Sequence, residues 1–474
     1  MSSPEDFRAN TILSNFKEYG EKSRSLKWLS SFEAAAQEKI RNDLLSALKP
    51  LVQYGYKNTK LDCTRLSSGC RSCGSGAWSC LFINGKCNCR CFYCPTEQNQ
   101  VGVPTTNGIQ FQKPSDYADY VAKFKFKGVS ISGGEPLLTA ETSLKYISAV
   151  KKKLGDQIYI WLYTNGTLST PEILSRLRDA GLNEIRFDIG ATHYSLEKAR
   201  EAVGVIPVVT VEIPAIPEDL DLLKKKLKEM AGIGISHLHL HQLRLTPFNF
   251  EKLVNRNYTF LHGEKVTVLE SELTALELLR TRFEEEIDLP INYCTFHYKH
   301  SFQGAAVRRR SAAHIIKAHE DLTEKGYIRS LCLVGNSEML LDQINRFSQV
   351  PDNGMRWLLS SSRERLYFSA AFMDCVSSPH LNVKLAYFEP RILSSMTYRH
   401  AYVQLALNKR KAIVVEKAPA CEEMNLSLEN LSRFRNLVSD PEKVIMDDSV
   451  HVNDPTWEKI LQFEMIRPGL QPYY

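Results

Sequence analysis

"CLFINGKCNCRCFYCP", residues 80–95, sets a short apolar run directly before four closely spaced thiols, Cys87, Cys89, Cys91 and Cys94. CLFIN (80–84) reads as a strand. The same rhythm recurs downstream, with strand candidates at GVSIS (128–132), IYIWLYT (158–164), EIRFDI (184–189), VVTVEI (208–213) and HLHLHQL (237–243). Each gap between them carries apolar residues at helical spacing, in 115–124, 140–154, 170–181, 193–204 and 217–232. Strand–helix alternation of this kind gives a parallel sheet with right-handed crossovers, as an open sheet or a barrel. Either form gathers functional residues at the C-terminal ends of its strands. The positions of interest are therefore the thiols after Asn84, GGEP after Ser132, NG after Thr164, and GATH after Ile189.

Cys87, Cys91 and Cys94 are spaced C-x3-C-x2-C and followed by Pro95. Thiolates at such intervals on one loop can take three corners of an iron–sulfur cube, a group that normally has four cysteine ligands. The fourth iron is then open to a small molecule. Cys89, inside the motif, has no assigned role. Upstream, Cys63, Cys70, Cys73 and Cys80 are spaced C-x6-C-x2-C-x6-C, which suits a second cluster or a tetrahedral zinc. Cys294, after a candidate seventh strand, can replace Cys63 or Cys80 in that set.

The phrase CNCRCFYC, with Tyr93 before its last cysteine, and SGGEP (Ser132–Pro136) after the next strand resemble the radical S-adenosylmethionine (radical SAM) superfamily. The wider phrase GCRSCGSGAWSCLFINGKCNCRCFYCP, with LYTNG and QGAAVRRRSA, is similar to members related to pyruvate formate-lyase activating enzymes. The resemblance implies a partial (βα)6 TIM-like barrel and a [4Fe–4S] cluster on Cys87, Cys91 and Cys94 whose open iron chelates S-adenosylmethionine. It implies reductive cleavage to a 5′-deoxyadenosyl radical, which takes hydrogen from a peptide, protein or small metabolite. Activation of a glycyl-radical partner enzyme is the alternative. A flavodoxin or ferredoxin is the implied reductant, and an auxiliary [4Fe–4S] cluster is favoured over zinc for the upstream thiols. Gly133 and Gly134 are expected against the methionine amino group with Glu135 and Pro136 beside them, and Tyr93 near the adenine. Asn165, Asp188, Glu212 and His241 are expected on the same rim, where helix capping and turn formation are equally open readings. His237, His239 and His241 alternate along one strand and share a face, as a metal triad or as cavity-lining groups.

The flanks differ in character. In residues 5–56 Ile40, Leu44, Leu45 and Leu48 suggest one apolar helix face ending at Pro50. Past residue 300 the alternation weakens: 312–329 reads as helix, and 365–376 and 411–418 as strands. The expected organisation is a helical segment at 1–58, a cysteine-rich metal segment at 59–80, a core at 81–300 and an α+β region at 301–474.

Across 474 residues, 43% hydrophobic and 24% charged content is ordinary for a globular chain, and no apolar run reaches the ~20 residues of a membrane span. The first residues lack a basic patch leading into an apolar core, so a reducing cytoplasm is expected, where clustered thiols bind metal more often than they form disulfides. A net charge of +6 is small for the length and argues against a dedicated nucleic-acid binder. A non-enzymatic zinc or iron–sulfur module contacting nucleic acid is the competing reading; it leaves the order of the motifs unexplained. Arg308, Arg309 and Arg310 are either an anion site or a solvated helix face.

Overall fold

The computed structural model describes residues 4–350, 354–376, 382–440 and 454–473. Two helices open the chain, α1 (Pro4–Tyr19) and α2 (Ser31–Leu48). A capping box between Ser30 and Glu33 starts α2 by satisfying amides that have no partner inside the helix. Its buried stripe runs Ala34, Arg41, Leu48, while the anticipated Ile40 is 46% exposed. Arg41 takes the inner position because acceptors await it: Glu272 Oε1 at 3.4 Å, the Gln471 carbonyl at 2.8 Å and the Tyr473 ring at 3.9 Å from the guanidinium carbon.

A short strand β1 (Lys60–Leu61) and helix α3 (Ser68–Gly74) lead into the sheet. Its parallel strands are β2 (Trp78–Asn84), β3 (Gly128–Gly133), β4 (Tyr159–Thr164), β5 (Glu184–Phe187), β6 (Val208–Pro214), β7 (His237–His241) and β8 (Ile291–Cys294). Neighbours follow chain order from β2 to β8, all parallel, and β1 closes the far side antiparallel to β8, with Lys60 opposite Cys294. The sheet is a partial barrel with seven parallel strands where the alternation pattern counted six, and Cys294 ends the seventh strand rather than following it.

Helices between the strands bury the stripe their sequences carry: Leu144, Ile147 and Val150 in Ala140–Leu154, and Leu223, Leu227 and Met230 in Leu220–Gly232. The helix anticipated from residue 193 starts only at Glu197, since His193 and Tyr194 adopt left-handed backbone, φ +52° and +60°, which a helix cannot contain. Because all seven strands run the same way, their C-terminal ends and the loops that follow form one edge of the sheet.

Residues 8–303, with 407–411 and 467–474, form one compact unit; 304–406 and 412–466 make up most of a second. In the second unit the anticipated helix at 312–329 is instead the end of a helix (Gly304–Ala312), a turn and the start of strand β9 (Ile328–Val334). Gly326, at φ +79°, and the β-branched and apolar run that follows it favour the strand. With β10 (Trp357–Leu359), β11 (Arg365–Phe368), β12 (Asn382–Leu393), β13 (Ala401–Ala406) and β14 (Ala412–Pro419) it makes an antiparallel sheet ordered β10-β11-β9-β12-β14-β13. Its core joins Leu331, Leu333, Phe368 and Leu385 to Phe347, Phe434 and Trp457 from helices, with Cys375 and Cys421 packed at its margin. No helix among the described residues is long and apolar enough to cross a membrane.

Candidate active site

At the C-terminal edge of the parallel sheet lies a cavity of about 410 Å³. One wall is the loop after β2. Asn84 shapes it: its side-chain oxygen accepts from the Lys86 amide at 2.8 Å, and its amide nitrogen donates to the Glu135 carbonyl at 3.0 Å. The turn after β3 packs on this loop backbone to backbone, Gly134 N donating to Asn84 O and Glu135 N to Lys86 O, both at 2.8 Å. A Cβ on Gly133, whose φ is +132°, would sit 2.1 Å from Asn84 O, and one on Gly134 would sit 2.1 Å from Lys86 O. Neither neighbour can yield, so both positions require glycine.

Cys87, Cys89, Cys91 and Cys94 all reach the cavity wall, and none is bonded to another cysteine. Cys87 Sγ accepts from the Cys89 amide at 3.4 Å and faces Asn165 Nδ2 at 3.7 Å. Burial, with Asp188 nearby, pushes the Cys91 thiol up to about 12, and burial also raises Cys87 and Cys89. Such sulfurs stay protonated in water and ionise when a metal takes the proton's place. Three thiols on one loop, facing one cavity and pinned by a glycine turn, fit the donor set of a cluster with one open corner.

The facing wall comes from the ends of β4 to β8. Asn165 Nδ2 donates to Asn88 Oδ1 at 2.8 Å, tying that strand end to the cysteine loop. Tyr93 Oη donates to Asp188 at 2.8 Å, and burial raises the Asp188 carboxyl to about 6. Glu212 Oε1 meets His241 Nε2 at 2.5 Å, while its other oxygen is 2.8 Å from Arg186 Nη1 and 3.2 Å from His239 Nδ1. Burial pushes the Glu212 carboxyl up, but the facing His241 and Arg186 overcome this and hold it well below the carboxylate range. His241 lines the cavity. His239 is turned deeper, its Nε2 3.4 Å from Cys70 Sγ, and His237 lies at the opposite end of the strand, so the three do not act as one triad.

Two residues of the glycine motif are not on the cavity wall. Glu135 is fully buried and accepts from Thr164 Oγ1 at 2.8 Å, Asn165 N at 2.7 Å and Leu137 N at 2.9 Å; Pro136 is buried behind it. Glu135 ties β3 to β4 instead of facing a ligand. The upstream thiols also divide. Cys63, Cys70 and Cys73 lie around Lys60 together with Cys294, whereas Cys80 sits on β2, where burial raises its thiol and Ser130 and Ser132 offset part of that rise. Arg308 and Arg309 cap the carbonyls of Lys325 and Glu324 at 2.8 and 2.7 Å, which leaves neither side chain as a simple solvated face.

Sequence reasoning missed Tyr163, Arg186 and Arg244 and did not place Lys299, all of which line the cavity. For Tyr163 and Arg186 a signal existed: each stands near the C-terminal end of a strand at the inward step of the alternation. Arg244, over the Phe296 ring at 5.4 Å, comes from the segment after β7, and Lys299 opens a π-helical turn (Lys299–Gln303); no periodicity marks either.

Residues 81–204 match the family model of the Radical SAM superfamily. The chain is 29% identical over 289 residues, 58% of its length and 76% of the relative's, to a "Putative glycyl-radical enzyme activating enzyme" of Methanocaldococcus jannaschii. It is 28% identical over 153 residues to a GTP 3′,8-cyclase of Heliobacterium modesticaldum, a match that spans 32% of this chain and 46% of the cyclase, less than half its length. Among solved structures, Streptococcus suis SuiB bound to precursor peptide SuiA is similar with a TM-score of 0.37 and 11% identity over 62% of this chain and 71% of that one. The thiol loop, the glycine turn and the strands β2 to β5 therefore lie within the stretch, residues 81–204, that matches the Radical SAM family model.

Proposed function

We propose that the protein is a radical SAM enzyme whose [4Fe–4S] cluster is held by Cys87, Cys91 and Cys94 and whose substrate gives up a hydrogen atom in the adjoining cavity. The observation that carries this reading is the meeting of those three thiols with the Gly133–Gly134 turn on one wall of one cavity. When bound and reduced, the cluster and S-adenosylmethionine supply a 5′-deoxyadenosyl radical, with methionine as the other product. The chain's own residues bind and orient. Gly133 and Gly134 keep the wall free of side chains, Asn165 and Asp188 offer polar contacts at the next two strand ends, and Glu212 with His241 offers a fixed anion and an imidazole deeper in. Tyr93, Leu243 and Phe296 line the cavity with apolar surface that limits water. A flavodoxin or ferredoxin supplies the electron.

The upstream thiols are proposed to hold a second [4Fe–4S] cluster.

Anaerobically reconstituted, dithionite-reduced protein is expected to convert S-adenosylmethionine to 5′-deoxyadenosine and methionine. Absence of both products from protein with loaded clusters would overturn the reading. One observation favours a protein glycine as the hydrogen source: the relative matched over 76% of its length bears an activating-enzyme name. Under that second reading a large partner enzyme co-purifies and acquires a glycyl-radical doublet in electron paramagnetic resonance; a pulled-down partner without the doublet rejects it.

A further inference from the structure

β1 and β8 pair Lys60 with Cys294, two residues 234 apart in sequence, and this pairing gathers a set of thiols that no linear spacing displays. Cys70 and Cys73, three apart on α3, share a helix face. Cys63 follows β1, and its sulfur occupies space that Gly55 leaves free, since a Cβ there would lie 2.6 Å from it. Cys294 ends β8. All four interact electrostatically with one buried group, the Lys60 ammonium.

Lys60 is 1% exposed. Its Nζ stands 2.5 Å from Cys294 Sγ and 2.8 Å from Asn292 Oδ1, with the Tyr298 ring centroid at 4.8 Å. Among the described residues no carboxylate pairs with it. A buried ammonium needs an anion, and removing one partner from such a pair leaves a costly uncompensated charge. The nearby source of negative charge is sulfur. Other donors point the same way: Gln303 Nε2 is 2.5 Å from Cys73 Sγ, and His239 Nε2 is 3.4 Å from Cys70 Sγ. Tyr298 Oη, in a side chain 1% exposed and within electrostatic range of Cys73, Cys294 and Cys70, has no hydrogen-bond partner among the described residues. A set of sulfurs ringed by donors, with a cation in place and one polar atom unpaired, is what an anionic sulfur-bridged cluster requires.

We propose that Cys63, Cys70, Cys73 and Cys294 are the four ligands of the second cluster, that Lys60 is its built-in counter-cation, and that Cys80 takes no part. This rests on the second cluster proposed above and specifies it. Four thiolates around an oxidised [4Fe–4S] core leave a net charge of about −2, part of which the Lys60 ammonium balances in the buried site. Cys294 also lines the reaction cavity, so the centre shares a wall with the substrate space.

The test is iron and sulfide analysis with Mössbauer spectra on anaerobically reconstituted full-length chains. Wild type is expected to hold roughly eight irons, and the Cys87→Ala/Cys91→Ala/Cys94→Ala variant roughly four. Cys294→Ala and Cys70→Ala should each hold roughly four with an unchanged circular dichroism spectrum as evidence of a folded barrel, while Cys80→Ala should keep roughly eight. Cys294→Ser, closer in size, guards against a packing defect. A wild type with roughly four irons that vanish in the triple variant overturns the second cluster itself. A full complement that Cys80→Ala halves and Cys294→Ala spares overturns only this ligand set. Lys60→Met should move the second cluster's reduction potential to a more negative value in a redox titration followed by electron paramagnetic resonance, because a nearby cation favours the reduced form. Iron lost in Lys60→Met and recovered in Lys60→Arg supports the same assignment. An unchanged potential with iron retained, or iron lost in both variants, overturns it.

Discussion

Inside the sheet, side chains that a packed barrel would make apolar are charged and paired. Glu184 and Arg186 are fully or almost fully buried on β5 and bond at 2.9 Å, and Arg186 continues to Glu212, which reaches His239 and His241. Removing one member of such a network leaves a buried charge without its partner, a defect worth about 3–5 kcal/mol. His237 differs from its neighbours on β7: its Nδ1 is buried with no partner among the described residues, and burial, with His239 close by, lowers the imidazole to about 4. The unfolded chain takes up a proton near pH 6.5 and the folded chain resists until about 4. The stabilising contribution is therefore complete above the unfolded pKa and is lost as pH falls through that window, by ~2–3 kcal/mol. Between pH 7 and 4.5 the urea midpoint of wild type should fall relative to that of His237→Phe, since the variant lacks this dependence. Parallel curves for the two proteins would reject the assignment.

Elements meet at the active site through backbone, and the Gly133–Gly134 turn is the sharpest case. Gly134→Ala places a methyl 2.1 Å from the Lys86 carbonyl, so the cysteine loop must move. The expected result is loss of roughly four irons and of 5′-deoxyadenosine formation with circular dichroism unchanged. Gly232→Ala, at a helix end with nothing within 4 Å of the new Cβ, serves as the silent control. This turn was legible in sequence because SGGEP follows a strand, and so were the six strands whose apolar residues crowd together. The role of Glu135 was not, because a carboxylate beside a glycine turn looks the same in sequence whether it faces a ligand or accepts three hydrogen bonds behind it. Nor could C-x6-C-x2-C-x6-C show that Cys80 points elsewhere, for the grouping depends on β1 pairing with a strand more than two hundred residues away. The Arg41 position on α2 failed for the same reason: its acceptors, Glu272, Gln471 and Tyr473, are distant in the chain.

At the scale of the whole molecule, the chain leaves the barrel unit after residue 303, returns to it briefly at 407–411 and again at 467–474, so a segment near the end of the sequence stabilises helices near its beginning. Gly469 N donates to Lys57 O at 2.7 Å, Gln471 Nε2 to His262 O at 2.6 Å, and Tyr473 Oη to Glu272 at 2.8 Å. The Tyr473 ring, 1% exposed, covers Arg41 and completes a small core with Leu29, Ala34, Leu261 and Leu269. Tyr473→Phe removes one donor from Glu272 but leaves Arg41 and the ring packing in place, and should cost about 1–2 kcal/mol. Tyr473→Ala also opens a cavity beside the buried ion pair and should cost about 3–5 kcal/mol. A chain ending at Ile466 loses every one of these contacts and should be at least as unstable as Tyr473→Ala. Its unfolding should register in the fluorescence of Trp28, in the helical N-terminal segment, and not only in probes of the residues removed. If the truncated chain unfolds at the wild-type urea midpoint, the tail is an appendage and the Arg41–Glu272 pair stands on α2 and its helical partner alone.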